Sequence, residues 1–139
     1  MDKHFDIIVV GCGPTGAIAS LLLAQKGLKV AIVEQHQNVY PHPRAIALNG
    51  FSMGLIKELL QDLWSEFEYT TAVEVGYVLS KDKMNEPFGK MQPPIIEGKI
   101  LDLDHYGFLN WFNQPQLERL LRKKTVSYTH LTLPTIYSV

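Results

Sequence analysis

Cysteine is almost missing from this chain: Cys12 is the only one among 139 residues. A lone thiol excludes an internal disulfide framework and fits a reducing compartment. Excess charge is missing too. The 13 Lys and Arg nearly balance the 14 Asp and Glu, leaving a formal net charge of −1. No basic block or stripe interrupts that mixture, so nucleic acid is not an expected partner. Long apolar runs are also absent. The one near the start, Ile7 to Val10, is too short to cross a bilayer and lacks the flanks of a signal peptide. A cytoplasmic protein with no membrane span is the expectation. His4, His36, His42 and His105 lie scattered without metal-ligand spacing, so no metal is expected. No Ser-His-Asp or Cys-His arrangement can be argued, and no catalytic residue is assigned.

What the chain does have is concentrated between Phe5 and Glu34, FDIIVVGCGPTGAIASLLLAQKGLKVAIVE. Phe5–Val10 is a near-continuous apolar run, as in a parallel strand buried on both faces. Pro14–Gln25 is helical, with Ile18, Leu21, Leu22 and Leu23 on an apolar face and Gly27 as its stop. Lys29–Val33 is a second strand. The turn between strand and helix holds Gly11-x-Gly13-x-x-Gly16. Gly11 permits the tight turn, Gly13 lets backbone approach a pyrophosphate, and Gly16 lets helix and strand pack closely. Pro14 pre-sets the helix start and Thr15 lies in its first turn, whose free N–H groups favour an anion. Glu34 ends the second strand at the spacing a ribose-binding carboxylate requires. Its charge disfavours a phosphorylated ribose. The pattern names a dinucleotide, and by itself leaves NAD and FAD open.

Further along, Gln35–Asn49 is a polar connection with Pro41 and Pro43. Phe51–Trp64 is an amphipathic helix carrying Leu55, Ile56, Leu59, Leu60 and Leu63. Strands are expected over Val73–Leu79, Ile95–Leu103 and Phe108–Asn113, with a turn-rich excursion over Lys81–Pro94. Pro115–Lys124 is a helix with proline in its first turn and cations at its end. A NAD dehydrogenase would continue promptly from the second strand into another helix and parallel strand. This chain instead runs through Tyr40-Pro41-His42-Pro43-Arg44-Ala45.

Three segments together resemble the FAD-dependent aromatic hydroxylases, the single-component flavoprotein monooxygenases, most nearly of the 3-hydroxyphenylpropionate hydroxylase type. They are GCGPTG with Glu34, then PHPRAIAL, then Phe112-Asn113-Gln114-Pro115-Gln116-Leu117-Glu118. The resemblance implies an α/β fold: a Rossmann-like βαβ unit of the glutathione-reductase type, joined to the start of a β-rich substrate portion near residues 73–103. It implies FAD held by Gly11, Gly13, Pro14, Thr15, Gly16 and Glu34. Arg44 would lie near the pyrophosphate and adenosine, and Gln114 near the flavin or ribityl region. A guanidinium suits a diphosphate and a glutamine can both donate and accept, although a loop cation and a helix-end amide are the plainer readings. The implied reaction uses NAD(P)H and O2 to place one oxygen atom on an aromatic, phenolic ring. Other FAD enzymes of the superfamily (halogenase, epoxidase, dehydrogenase) and a plain NAD-dependent dehydrogenase are the alternatives. Oligomeric state is not legible. Tyr106, Trp111 and Phe112 are expected to pack in a core rather than line a substrate pocket, and Cys12 to be a small residue of the turn.

The last residues read differently. Val126 to Thr135, VSYTHLTLPT, matches one frame of a transposase sequencing adapter without a mismatch. The expectation is that residues 1–125 are the N-terminal part of a longer monooxygenase and that 126–139 are not native. The family's Asp-Gly and Gly-Asp segments would lie beyond that junction.

Overall fold

The computed structural model describes residues 4–72, 75–77, 79–83, 85–86, 88–90, 95–96, 99–100, 106–127 and 131–132. Its first unit follows directly from the apolar runs and the glycine turn. Strand β1 (Ile7–Val10) enters helix α1 (Pro14–Gln25), which returns to strand β2 (Val30–Val33). The strands pair in parallel, Ile7 opposite Val30 through Val10 opposite Val33, an arrangement that needs a crossover helix between them. Pro14 occupies the first turn of α1, where its missing N–H costs nothing. Gly27, at φ +83°, takes the left-handed conformation that ends the helix, and its N–H donates to the Ala24 carbonyl at 2.9 Å.

The two strands are buried unequally. Val30, Ala31 and Ile32 of β2 are buried. In β1 only one face is covered: Val9 lies beneath Gly16 of α1, whereas Ile8 is 64% and Val10 82% exposed. The expectation of a strand buried on both faces is therefore corrected for β1. Apolarity reports that a residue can be covered, not that a neighbour is there to cover it.

The middle of the chain builds separate antiparallel sheets from very short strands. In chain order they are β3 (Ala47–Leu48), β4 (Tyr69–Thr71), β5 (Gly76–Tyr77), β6 (Gly89–Lys90), β7 (Ile95–Ile96), β8 (Lys99–Ile100) and β9 (Asn110–Phe112). Among the described residues they pair as β3-β9-β4, β5-β6 and β7-β8. The expected strand over Val73–Leu79 contracts to β5, paired with β6; Val73, Glu74 and Val78 lie outside the described residues. The expected strand over Ile95–Leu103 is two strands, β7 turned antiparallel onto β8, with 101–103 outside the described residues. His105 and positions 84, 87 and 91–94 of the turn-rich excursion also lie outside them.

Helix α2 (Gly50–Leu60) starts at Asn49, whose Oδ1 accepts from the Ser52 N–H at 2.8 Å. It stops short of Trp64. Gln61 swings to φ 52° and the chain tightens into a 3-10 turn over Gln61–Glu66. Helix α3 (Gln114–Ser127) is longer than expected at both ends. After it, β10 (Leu131–Thr132) lies parallel to β2, Leu131 opposite Val30.

Helices α1, α2 and α3 share one core. Leu21, Met53, Ile56, Leu59, Leu60, Leu117 and Leu121 are each no more than 1% exposed. Each such side chain contributes about 1.5–3 kcal/mol of burial. This core fixes α1 against α3 and leaves the start of α1 and the polar face of α3 beside the carboxyl ends of β1 and β2. In an open α/β sheet that is where ligands bind.

Candidate functional site

The glycine turn closes as the sequence requires. The Gly11 N–H donates to the Val33 carbonyl at 2.7 Å, tying the end of β1 to the end of β2. Gly11 itself stands at φ +98°, which side-chain-bearing residues rarely adopt. A Cβ at Gly16 would fall on the Gly11 carbonyl oxygen, so this crossing of helix over turn admits only glycine. At Gly13 the opposite holds. Its φ is −74° and a Cβ would meet nothing within 4 Å. The backbone at Gly13 is bare toward open space. No side chain caps α1, and no acid sits in its first turn. Its orphan N–H groups and the positive end of its dipole are left for an anion.

Glu34 stands opposite. Its Oε2 accepts from the Cys12 N–H at 2.7 Å and its Oε1 from the His36 N–H at 2.8 Å. Burial pushes its pKa up. The two backbone N–H groups and the nearby Arg122 outweigh that and hold it below the ordinary carboxylate value. Glu34 is thus a carboxylate with lone pairs to spare, aimed by backbone. Cys12, behind it, is 1% exposed, and burial raises its thiol pKa. Those are the properties of a packed side chain rather than a nucleophile.

Helix α3 supplies the far wall. Gln114, Glu118 and Arg122 recur at four-residue spacing, so they share one face. Gln114 Oε1 accepts from the Arg44 N–H at 2.8 Å and also from the Ala45 N–H. Two donors at one atom identify it as the oxygen. Its Nε2 donates to Glu118 Oε1 at 2.7 Å. Arg44 is thereby held at the cleft, with its guanidinium 4.6 Å from the centre of the Tyr40 ring. Arg122 reaches across to the Cys12 carbonyl at 3.3 Å and the His36 carbonyl at 3.1 Å, and lies 3.6 Å from Glu34.

These parts enclose one cleft of about 1070 Å³. Gly11, Gly13, Pro14, Glu34, Arg44 and Gln114, all anticipated from sequence, line it together. Thr15 is exposed in the first turn of α1 and Gly16 is packed beneath, so neither is part of the lining. Tyr40, Glu118 and Arg122 line it as well and were not anticipated. The i, i+4, i+8 polar series running from Gln114 is the signal that could have found the last two. Phe112 and Tyr106 pack against the core, as expected, but Tyr106 also borders a separate cleft with Lys57 and Trp64, and Trp111 is 41% exposed. Among the described residues no three His, Cys, Asp or Glu side chains could hold a metal ion, and no helix is long and apolar enough to cross a membrane.

The cleft fits an adenine dinucleotide by its own features: bare backbone at Gly13, uncapped helix N–H groups and an oriented carboxylate. Comparison with known proteins agrees. Residues 4–133 match the family described as FAD binding domain. The chain is 40% identical over 63 residues to the 2,4-dichlorophenol 6-monooxygenase of Cupriavidus pinatubonensis, covering 45% of this chain and 10% of that protein. It is 50% identical over 104 residues to the digeranylgeranylglycerophospholipid reductase of Methanothrix thermoacetophila, covering 70% of this chain and 25% of that protein. The crystal structure of p-nitrophenol 4-monooxygenase from Pseudomonas putida superposes with a TM-score of 0.71 at 19% identity, over 97% of this chain and 32% of that one. The chain therefore spans a third or less of each of these proteins. It belongs to the FAD binding domain family and has the mixed α/β fold of that domain.

Proposed function

We propose that this chain is the FAD-holding part of a monooxygenase that uses NAD(P)H and O2 to hydroxylate an aromatic, phenolic substrate. The observation that carries the reading is the single cleft that unites Gly13, Glu34, Arg44 and Gln114. The glycine turn and the start of α1 would take the diphosphate. Glu34 would accept hydrogen bonds from the adenosine ribose, and its charge would exclude a phosphate there. Arg44, held by Gln114, would approach the diphosphate from the other side. Gln114 retains one Nε2 hydrogen for the ribityl chain, because its oxygen already serves Arg44 and Ala45. Bound FAD would supply the redox and oxygen chemistry; the protein's share is to hold and orient it. The short strands β5 to β8 would belong to the substrate side. Two of the matched proteins carry phenol monooxygenase names, which supports this choice.

A second reading keeps the cofactor and changes the reaction. The 50% identity to a reductase favours another FAD-dependent oxidoreductase. Both readings share a first test, titration of the purified chain with FAD and with NAD. Quenched flavin fluorescence with weak or absent NAD binding supports an FAD site. Equal or tighter binding of NAD would overturn it. The phenolic reading is then tested on the longer enzyme that we propose continues past Thr125, with 126–139 read as adapter. Genomic sequence across that codon should diverge from VSYTHLTLPT and carry on into Asp-Gly and Gly-Asp segments. Phenol-dependent NAD(P)H oxidation with ring hydroxylation is the expected activity, and a phenol-independent reductase activity contradicts it.

A further inference from the structure

Arg122 touches the walls of the cleft at several points. Its Nε donates to the Cys12 carbonyl at 3.3 Å, and its Nη1 to the carbonyls of His36 at 3.1 Å and Gln37 at 3.3 Å. Its Nη2 lies 3.6 Å from Glu34 Oε2, and both side chains are largely buried, 17% and 15% exposed. Glu34 Oε2 in turn accepts from the Cys12 N–H. Cys12, Glu34 and Arg122 therefore form a closed ring: the residue before Gly13 is held by its N–H on one side and its C=O on the other.

That ring has a geometric consequence. The Cys12 carbonyl and the Gly13 N–H belong to one peptide plane, and no peptide among the described residues is cis. In a trans plane the two groups point in opposite directions. Gripping the carbonyl from α3 aims the Gly13 N–H away from α3. Gly13 is the bare position on the cleft.

We propose that Arg122 is a positioning residue for the dinucleotide site: from α3 it fixes the Cys12–Gly13 peptide and the Glu34 carboxylate together, so that the diphosphate and ribose contacts are set before ligand arrives. The proposal rests on the FAD reading for its ligand but not for its geometry. A lysine cannot replace the arginine. Its single ammonium on a flexible stem cannot serve the Cys12 carbonyl and the two carbonyls after β2 at once. The groups facing Glu34 are the Cys12 and His36 backbone N–H, the His36 ring and Arg122, the last being the fixed cation among them.

The test compares the native chain with Arg122→Met and Arg122→Lys, each checked for a cooperative melt. Two readouts are taken. Amide hydrogen exchange at Cys12, without ligand, should quicken at least ten-fold in both variants. FAD binding, followed by fluorescence quenching from pH 4 to 8, should weaken roughly ten-fold or more at neutral pH in both. In Arg122→Met the acid-side loss of binding should also begin at higher pH, because Glu34 protonates more readily without the cation; Arg122→Lys should keep it near the native position. Exchange at Cys12 unchanged in a folded variant overturns the proposal. Weaker binding with an unshifted acid limb in Arg122→Met also overturns it, leaving a packing role. If Arg122→Met does not fold, the Cys12 exchange of Arg122→Lys decides. A native chain that binds no FAD would sink the functional reading alone, since the exchange readout still decides the geometry.

Discussion

At the scale of single residues, Gly13 and Gly16 separate binding from folding. A methyl at Gly16 meets the Gly11 carbonyl oxygen, so helix and turn must part. Gly16→Ala should cost about 1–3 kcal/mol of stability and lower the melting temperature. Gly13→Ala adds its methyl to open space at an ordinary φ and should leave stability within about 0.5 kcal/mol. It should still weaken FAD binding, because the methyl stands where the diphosphate would approach. Paired thermal melts and fluorescence titrations check both; equal effects of the two substitutions would mean the glycines are only structural. Glu34 carries a pH prediction. Its folded pKa lies below the ordinary glutamate value of about 4.3. It therefore contributes stability that is present above that value and is lost as pH falls through the lower, folded one. Acid melts of Glu34→Gln should lack that component. If the two chains lose stability in parallel below about pH 4, the carboxylate is not held as described.

At the scale of elements, α3 is the part that joins the two ends of the cleft. Gln114 supplies the oxygen for two N–H groups of the Arg44 loop, a segment 70 positions away in sequence. Gln114→Met keeps the volume and removes the acceptor, stranding partly buried donors at a cost of about 1–3 kcal/mol. Trypsin should then cut after Arg44 faster than in the native chain; an unchanged rate would show that something else holds the loop. The βαβ unit was legible down to the ends of α1, because apolar run, glycine turn, proline and glycine stop all act locally. The glycine turn, Glu34, Arg44 and Gln114 were legible because a motif marks each. The middle strands were not. β4 and the paired residues of β5 to β8 are two or three residues long, β4 is defined by its distant partner β9, and no periodicity can accumulate over so few positions. Glu118 and Arg122 were not legible as cleft residues, because the periodicity of α3 reports its apolar, core-facing side, while its polar face lines the cleft.

At the scale of the whole molecule, the helices bury one side of the sheet and leave the other side of β1 open. Ile8 and Val10 lie bare there, and β1 ends the described sheet order β1-β2-β10. An apolar strand at a sheet edge invites association. The chain should self-associate in sedimentation velocity, and Ile8→Thr with Val10→Thr should shift it toward monomer. A native chain that stays monomeric as concentration rises would contradict this. The central claim concerns which half of the cofactor is gripped. On the proposed reading the glycine turn, the helix start and Glu34 would address the adenosine and its phosphates, of which FMN has one phosphate alone. Competitive titration of the purified chain with FAD, FMN and ADP tests it most directly. FAD should bind roughly a hundred-fold more tightly than FMN, with ADP displacing it. FMN binding as tightly as FAD, undisturbed by ADP, would contradict the account.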